Sequence, residues 1–300
     1  MEDEQPAIGR VGLWTFALEG LTAPEFRDTA AEIDELGYGT LWFGEAFGRE
    51  ALTQAALLLA ATRRMVVATG IACVYGRDPL TMNQAQRTLA ADFPGRFLLG
   101  LGLSAPMGVE KFRGQTFGPP VATMRSYLEG LDANTVGPRP ERAPRRVIAA
   151  LGPKMLRLAG ERAWGALSYL VPVEHTVRAR ATLGPEPLLA VEQAVVLDED
   201  PAAAREVARA HVGAYLRVPH YVTNLRRLGF DEEELAGGGT DRVVDALVAQ
   251  GDAGAVAKRV AEHFDAGADH VCVQVLTSDP HRVPMREWRE LAPILEGGMS

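Results

Sequence analysis

Two residues that could transfer protons come directly after short apolar runs. Glu45 follows the aromatic residues Trp42 and Phe43, and His175 stands at the start of a predicted helix. A carboxylate beside aromatic rings can act as a general acid, or orient one, when loss of solvent raises its pKa. The alternatives are a solvated glutamate at a helix start and a structural histidine, and the residues alone leave both open.

A candidate anion site lies where the apolar run ending at Leu151 meets a helix that begins near Lys154, with Gly152 and Pro153 between them. The backbone N–H groups of a first helical turn have no partner within the helix and carry partial positive charge, so they can hold a phosphate. A plain strand-to-helix turn would have the same sequence, and spacing does not separate the two interpretations.

Gly100, Gly102 and Ala105 match the G-x-G-x-x-A pattern of dinucleotide-binding folds. Pro106 and Gly108 follow, however, so no helix opens there, and the expected acidic residue at the end of a later strand is missing. We therefore interpret the glycines as a tight strand exit beside a ligand. The six histidines are scattered without metal-ligand spacing, so the sequence predicts no metal site.

Aromatic side chains accompany the polar groups. Trp14, Phe16 and Tyr75 fall at the ends of predicted strands, and Gln274 lies late in the last strand. An aromatic and sparingly polar rim suits a flat heteroaromatic ligand better than a hydrolytic metal centre. We expect Trp14, Phe16 and Tyr75 to bind a small-molecule substrate.

The elements that must position these residues alternate along the chain. Short apolar runs, typical of parallel strands buried on both faces, are separated by stretches with helical spacing. The predicted strands are 11–16, 40–43, 65–75, 96–100, 146–151, 165–171, 188–197 and 270–276. Eight such units in 300 residues predict a (β/α)8 TIM barrel forming a single domain, with 1–9 as a flexible N-terminus. An open doubly wound sheet is the competing architecture.

Composition and charge exclude several classes of protein. The 31 Lys and Arg against 39 Asp and Glu give a net charge of −8, which argues against a nucleic-acid partner. Cys73 and Cys272 lie in apolar runs and are expected to be buried thiols. The N-terminus lacks the apolar segment of a signal peptide, and no apolar run reaches the roughly 18 residues that span a bilayer. We therefore expect a cytoplasmic protein without a membrane partner.

Four stretches together resemble the luciferase-like superfamily of flavin and deazaflavin oxidoreductases. They are TLWFGEAFGRE, VVATGIACVYGRDP, GRFLLGLGLS and ALGPKM, and the resemblance extends over nearly the whole chain. The stretches LGPKML, VEHTVRAR and YVTNLRRLGF resemble the branch that uses coenzyme F420, a 5-deazaflavin hydride carrier. The resemblance implies a luciferase-like TIM barrel that binds F420, with FMN as the alternative cofactor.

The resemblance also implies roles near the cofactor ring. Gly70 and Ile71 match a bulge on the third strand that backs the ring, often through a non-proline cis peptide, and the adjoining Ala72 is expected to contact the cofactor. Ser104 matches a position near the cofactor after the fourth strand. Glu45 matches the acidic residue at the exit of the second strand.

The resemblance also implies that Gly152, Pro153 and Lys154 form the phosphate-binding turn. At two other positions this chain differs from the related enzymes. Related deazaflavin enzymes place a histidine directly after the strand-two acid and a carboxylate or histidine just after the strand-four glycines. This chain has Ala46 and Ala105 at these places. The proton donor must then be another group, and the candidates are Glu45, Tyr75, His175 or water.

Three functions follow from these observations. The first is hydride transfer between F420 and a small organic substrate, and the second is an FMN-dependent monooxygenase that consumes oxygen. The third is a barrel that binds a cofactor without catalysis, which the missing proton donors motivate. A flavin or F420 reductase system and a homodimeric partner subunit are the expected macromolecular partners.

Overall fold

The chain folds into a barrel of parallel strands surrounded by helices. The computed structural model describes residues 8–46 and 48–297, so the N-terminal segment predicted to be flexible lies outside it up to residue 7. The strands are β1 (Val11–Trp14), β2 (Thr40–Phe43), β3 (Val66–Thr69), β4 (Ala72–Cys73), β5 (Phe97–Gly102), β6 (Arg145–Ala149), β7 (Gly165–Ser168), β8 (Leu188–Leu197), β9 (Val248–Gly251) and β10 (His270–Val275).

Helices follow most of the strands. They are α1 (Ala23–Leu36), α2 (Ala51–Ala61), α3 (Pro79–Asp92), α4 (Pro120–Ala133), α5 (Pro153–Arg162), α6 (Val173–Leu183), α7 (Pro201–Tyr215), α8 (Pro219–Leu228), α9 (Glu232–Leu235), α10 (Asp241–Leu247), α11 (Ala253–Asp265) and α12 (Met285–Gly297). Local chemistry sets their ends. Asp78 accepts a hydrogen bond from the Thr81 amide (3.0 Å) just before α3, and Gly37 ends α1 in the left-handed region at φ 94°.

The sheet closes on itself through β10, which pairs in parallel with β1 on one side and β8 on the other. Val273 is the common residue, since it lies opposite Leu13 and opposite Gln193. This closure confirms the predicted (β/α)8 barrel and rules out the open doubly wound sheet. All strand carboxyl ends therefore meet at one rim, which is where the candidate residues were predicted to lie.

Alternate residues along each strand enter two different hydrophobic clusters. On β1 and β2, Leu13 and Leu41 pack against the helical layer, whereas Trp14 and Trp42 join a smaller cluster inside the barrel. The interior cluster consists of Ile8, Trp14, Trp42, Val66, Ala68, Leu98, Val147, Leu167, Leu188, Ala190 and Cys272. The barrel is thus filled by side chains, and only its carboxyl end can admit a ligand.

Two predicted elements differ from the structure. The predicted strand 65–75 is interrupted after Thr69, resumes as β4, and ends in a 3-10 turn at Val74–Gly76. The second difference is β9, which is absent from the eight predicted strands and directly follows the end of α10 at Leu247. β9 pairs with the end of β8, where Ala194 lies opposite Val248, and this tertiary pairing outweighs the local helical pattern.

A third hydrophobic cluster packs helices against the far end of β8. Val212 of α7, Leu225 of α8 and Leu247 of α10 bury against Ala194 and Val196. This cluster fixes α7 and α8 beside the barrel rim. As a result, side chains on those helices reach the same region as the strand ends.

Gly100 gives a direct test of the β3–β5 contact. A Cβ atom at this position would lie 1.9 Å from the Thr69 carbonyl oxygen, so Gly100→Ala must push the two strands apart. We expect the substitution to lower the free energy of unfolding by about 3 kcal/mol, measured by urea denaturation. The control is Gly20→Ala, whose Cβ would meet no atom within 4 Å. Equal stability of the two variants would contradict the observed strand approach.

Candidate active site

The interruption of the third strand lies at Gly70 and Ile71, which are joined by a cis peptide bond. The flanking backbone is held on both sides, because the Gly70 amide donates to the Phe43 carbonyl (2.7 Å) and the Ile71 carbonyl accepts from the Glu45 amide (3.0 Å). Gly102 leaves room for Ile71, since a Cβ there would lie 2.4 Å from Ile71 Cγ1. The structure therefore contains the expected bulge at the predicted place.

Trp14 connects this bulge to the rest of the rim. Its indole Nε1 donates a hydrogen bond to the Gly70 carbonyl oxygen (3.0 Å), and its ring meets Phe16 edge to face with centroids 4.6 Å apart. On its other side the ring lies against Tyr169, with centroids 5.1 Å apart. Trp14 and Phe16 are thus brought together beside the bulge, and their role in substrate binding stays a prediction.

Ala72 and Ser104 differ in what they can offer a ligand. Ala72 is fully buried and its methyl group packs in the outer hydrophobic cluster, so any contact with a cofactor would come from its backbone. Ser104 is exposed after β5 and adopts a positive φ of 61°. That backbone region is rare for a residue with a Cβ atom and is typical of functional turns. The cofactor-binding role of both residues stays a prediction.

Glu45 is held as a carboxylate rather than as an acid. Arg77 donates two hydrogen bonds to it, at 2.5 and 3.0 Å, and the Cys73 amide donates a third at 2.8 Å. Burial raises the pKa of Glu45, but the Arg77 and Cys73 hydrogen bonds outweigh it, and the net pKa lies below the ordinary value. Of the two roles considered for Glu45, orientation of a neighbour fits this geometry and proton donation at neutral pH does not.

Tyr75 is fixed by the segment that follows β5. Its hydroxyl oxygen accepts a hydrogen bond from the Gly118 amide (2.9 Å), its carbonyl accepts one from Gln115 (2.9 Å), and its ring stacks on Phe117 with centroids 5.8 Å apart. The segment packs inward through Val109, which is fully buried in a short π-helical turn. Tyr75 therefore anchors one wall of the rim, and its contact with a substrate stays a prediction.

His175 lies inside the protein on α6. Its ring nitrogens contact Ser168 Oγ at 3.3 Å and Asn224 Nδ2 at 3.4 Å, and only 2% of the residue is exposed. Burial, reinforced by the nearby Arg178, lowers the pKa of His175 to about 4, so the ring is neutral at pH 7. These contacts join α6 to β7 and α8 and suit a packing role. The catalytic role predicted for His175 stays a prediction.

Next to the candidate phosphate turn lies a cationic side chain, Arg227, that the sequence did not indicate. Gly152 precedes α5, and Pro153 opens its first turn. A Cβ atom on Gly152 would lie 3.1 Å from Nη1 of Arg227, so this guanidinium stands directly over the helix start. Within the described residues, no carboxylate pairs with the side chain of Arg227 or Lys154. A helix N-terminus with two unpaired cations is a site for an anionic group.

Apart from Gln274, which lies late in the last predicted strand, sequence reasoning also missed a group of polar residues that the fold gathers near Trp14. Tyr169, Tyr215 and Gln274 are linked by hydrogen bonds, and Glu192 points into the barrel beside them. One signal was available, because Glu192 is a lone carboxylate within the apolar run of β8. The tyrosines offered no such signal, since Tyr215 and Tyr221 belong to α7 and α8, whose contact with the rim depends on tertiary packing.

Metals and membranes are not indicated by the described part of the chain. It contains no group of three or more His, Cys, Asp or Glu side chains that could hold a metal ion. Among its helices, none combines the length and the apolarity needed to cross a bilayer. Cys73 and Cys272 are free and buried, which confirms their predicted state.

Known proteins similar to this chain include a family of enzymes and a mycobacterial relative. The model of the luciferase-like monooxygenase family matches residues 10–270. A Mycobacterium tuberculosis protein, named as a candidate coenzyme F420-dependent oxidoreductase, is 31% identical over 153 residues, which cover 51% of this chain and 42% of that protein. The chain spans about half the length of the curated relatives it matches.

Solved structures agree on the fold. The F420-dependent tetrahydromethanopterin reductase of Methanopyrus kandleri superposes with a TM-score of 0.78 at 17% identity, covering 97% of this chain and 100% of that one. The oxygenating component of the 3,6-diketocamphane monooxygenase of Pseudomonas putida, solved with FMN, gives 0.70 at 18% identity and covers 96% of each chain. At such identities the likeness concerns architecture.

The Glu45–Arg77 pair yields a stability test with a defined pH dependence. We expect Glu45→Gln to lower the free energy of unfolding at pH 7 by about 3 kcal/mol, because Arg77 loses its buried partner. The folded-state pKa of Glu45 is depressed, so its stabilisation is present above the unfolded pKa of about 4.3 and disappears as the pH falls through the folded value.

The difference between wild type and variant should therefore shrink when urea unfolding is repeated at about pH 3. Glu161→Gln is the matched control, because its pair with Arg125 is exposed and its removal should change stability by less than about 0.5 kcal/mol. A difference between wild type and Glu45→Gln that is independent of pH would show that Glu45 is not ionised in the folded protein.

Proposed function

The chain belongs to the luciferase-like monooxygenase family, and we propose that it is a coenzyme F420-dependent oxidoreductase that transfers a hydride between the deazaflavin and a small organic substrate. The choice of F420 is supported by the mycobacterial relative, whose name contains that cofactor. It is also supported by the sequence stretches LGPKML, VEHTVRAR and YVTNLRRLGF at α5, α6 and α8, which resemble the F420-using branch.

The observation that carries this proposal is the anion site at α5. Gly152 leaves the approach to the start of the helix open, and Arg227 faces it from α8. Lys154 adds a second cation in the same turn. A cofactor with a phosphate-bearing tail fits a site of this charge, and the bulge at Gly70 and Ile71 lies at the same rim for the ring.

The protein's own residues orient the cofactor and exclude water from it. When bound, the deazaflavin supplies hydride chemistry, which involves no activation of oxygen. Trp14 fixes the bulge through the Gly70 carbonyl, and Phe16 covers the neighbouring wall. The Glu45–Arg77 pair ties the exit of β2 to the turn after β4, so the backbone on both sides of the bulge is held in place.

An FMN-dependent monooxygenase is the second candidate. The FMN complex among the structural neighbours favours it, because the same barrel holds a flavin there. That function would need a reductase that supplies reduced flavin. In either case a homodimer through α2 is the expected assembly, and Leu57, which is 43% exposed on that helix, is available for such a contact.

A fluorescence titration of the purified protein with F420, and separately with FMN, tests the cofactor. We expect selective binding of F420, and Arg227→Ala should raise its Kd by about tenfold or more, because one charge-assisted hydrogen bond to the phosphate is lost. Gly152→Val should weaken binding as well, since its side chain would occupy the space beside Arg227. Arg226→Ala is the matched control on the same helix, because Arg226 is paired with Glu232.

If Arg227→Ala and Gly152→Val both bind F420 with the wild-type Kd, the start of α5 does not bind the cofactor phosphate. Selective binding of FMN would instead support the second candidate function, an FMN-dependent monooxygenase. In that case, rapid oxygen uptake by the protein loaded with reduced FMN, measured with an oxygen electrode, is the expected companion result. A protein that works with F420 should show no oxygen uptake above that of free reduced cofactor.

A further inference from the structure

The polar group missed at the level of sequence adjoins Trp14 through the ring of Tyr169. Tyr169 follows β7, and its hydroxyl group is within 2.8 Å of both the Tyr215 hydroxyl and Gln274 Oε1. Tyr221 meets the ring of Tyr215 edge to face at 5.2 Å. We call Tyr169, Tyr215, Tyr221 and His211 the tyrosine cluster. Each of its three tyrosines keeps part of its surface exposed, so the cluster is not sealed from solvent.

Glu192 closes the cluster on the barrel side. It lies opposite Cys272 in the β8–β10 register, and 1% of the residue is exposed. Its Oε2 atom accepts a hydrogen bond from the amide of Leu170 (2.9 Å), which adopts a positive φ of 55° directly after Tyr169. Its Oε1 atom has no hydrogen-bond partner among the described residues. A buried oxygen without a partner is costly unless a ligand supplies one.

The charge state of Glu192 decides what it can offer. Burial raises the pKa of Glu192 to about 8, and the Leu170 amide offsets this only in part. At pH 7 the group is therefore mainly a neutral acid with an O–H to donate. Burial also raises the pKa of Tyr215 to about 12, so its hydroxyl stays protonated as well.

His211 provides a second unpartnered polar atom in the same cluster. Its ring packs against Tyr215 with centroids 5.0 Å apart, and its Nε2 atom is buried without a hydrogen-bond partner among the described residues. Burial lowers the pKa of His211 to about 4, so this ring is also uncharged at pH 7. Two buried polar atoms without partners thus flank one set of aromatic rings, and both are neutral.

We propose that the tyrosine cluster is the substrate-binding part of the site, and that it takes an uncharged planar compound whose carbonyl oxygen accepts a hydrogen bond from the Glu192 carboxyl group. The aromatic rings favour a flat apolar body. No contact of the cluster involves Arg or Lys among the described residues, so an anionic substrate would lose its hydration without gaining a counter-charge. This inference rests on the proposed function, because it names the substrate class of the same site.

Acetophenone and benzoate are suitable probes, since they share size and ring and differ in charge. Each is titrated into the protein by ligand-observed NMR. We expect acetophenone to bind at about pH 7 with a Kd at least about tenfold lower than that of benzoate. The Kd of acetophenone should rise about tenfold or more at about pH 9.5, because Glu192 is then mainly ionised and has lost its proton to donate.

Glu192→Gln keeps the shape of the side chain and cannot titrate, so its Kd for acetophenone should be independent of pH over the same range. Tyr215→Phe removes only the hydroxyl and should weaken binding about fivefold at both pH values. Glu233→Gln, an exposed change of the same type on α9, should behave as wild type. Thermal unfolding establishes that each variant is folded. If Glu192→Gln does not fold, the proposal is tested by two other measurements. They are the pH dependence of the wild-type Kd for acetophenone and the Kd of the Tyr215→Phe variant.

Equal binding of the two probes, or a wild-type Kd for acetophenone that is independent of pH, would overturn the proposal. All titrations are made with and without F420, so that two failures remain distinct. Binding of F420 without binding of acetophenone would leave the cofactor assignment standing and refute the substrate class. Binding of acetophenone with the expected pH profile, but no binding of F420, would support the subsite and refute the cofactor.

Discussion

Closure of an all-parallel sheet is the constraint on which the rest of the structure depends. Because β10 pairs with both β1 and β8, every strand carboxyl end faces one rim, and residues from opposite ends of the chain become neighbours. Closure also obliges the interior to be filled. Trp42 does so while donating a hydrogen bond to His270 Nε2 (2.9 Å), which ties β2 to β10 across the interior. With the barrel centre occupied, ligand chemistry is confined to the rim.

Trp14 couples the two halves of that rim. One edge of its indole ring is fixed by the Gly70 carbonyl, and its face lies against Tyr169. A cofactor ring at the bulge and a substrate at the tyrosine cluster would then both adjoin this one side chain. Hydride transfer requires the reacting atoms to be held close together and aligned, so the two ligands would have to meet beside Trp14 rather than across it. The orientation of Trp14 therefore matters to both partners of the reaction.

The sequence predicted the barrel because its strands are short and apolar on both faces. That pattern can be recognised from the local sequence, without knowing how the elements pack. Trp14 and Gly152 were singled out because each adjoins a predicted strand end, whereas Gly70 was singled out only by the family resemblance. The sequence did not reveal Arg227, because the approach of α8 to α5 depends on packing between elements distant along the chain. Glu45 was found, but its charge state was not, since that depends on Arg77 folding back onto it. β9 was missed because four residues carry too weak a pattern to oppose a helix signal.

Glu45 and Glu192 show how one residue type acquires two roles in one rim. Both are withdrawn from solvent, which disfavours the charged form in each. Glu45 meets a guanidinium and a backbone amide, so its pKa falls below the ordinary range, whereas Glu192 meets only an amide and its pKa rises to about 8. At neutral pH, Glu45 is therefore a carboxylate paired with Arg77, which also pairs with Glu50, and Glu192 is mainly an acid that keeps its proton. Separate environments for two carboxyl groups are how a site holds a structural ion pair and a proton to donate at the same pH. The alanines at positions 46 and 105 are therefore compatible with a functional site, since a donor can come from β8 instead of from the exits of β2 and β5.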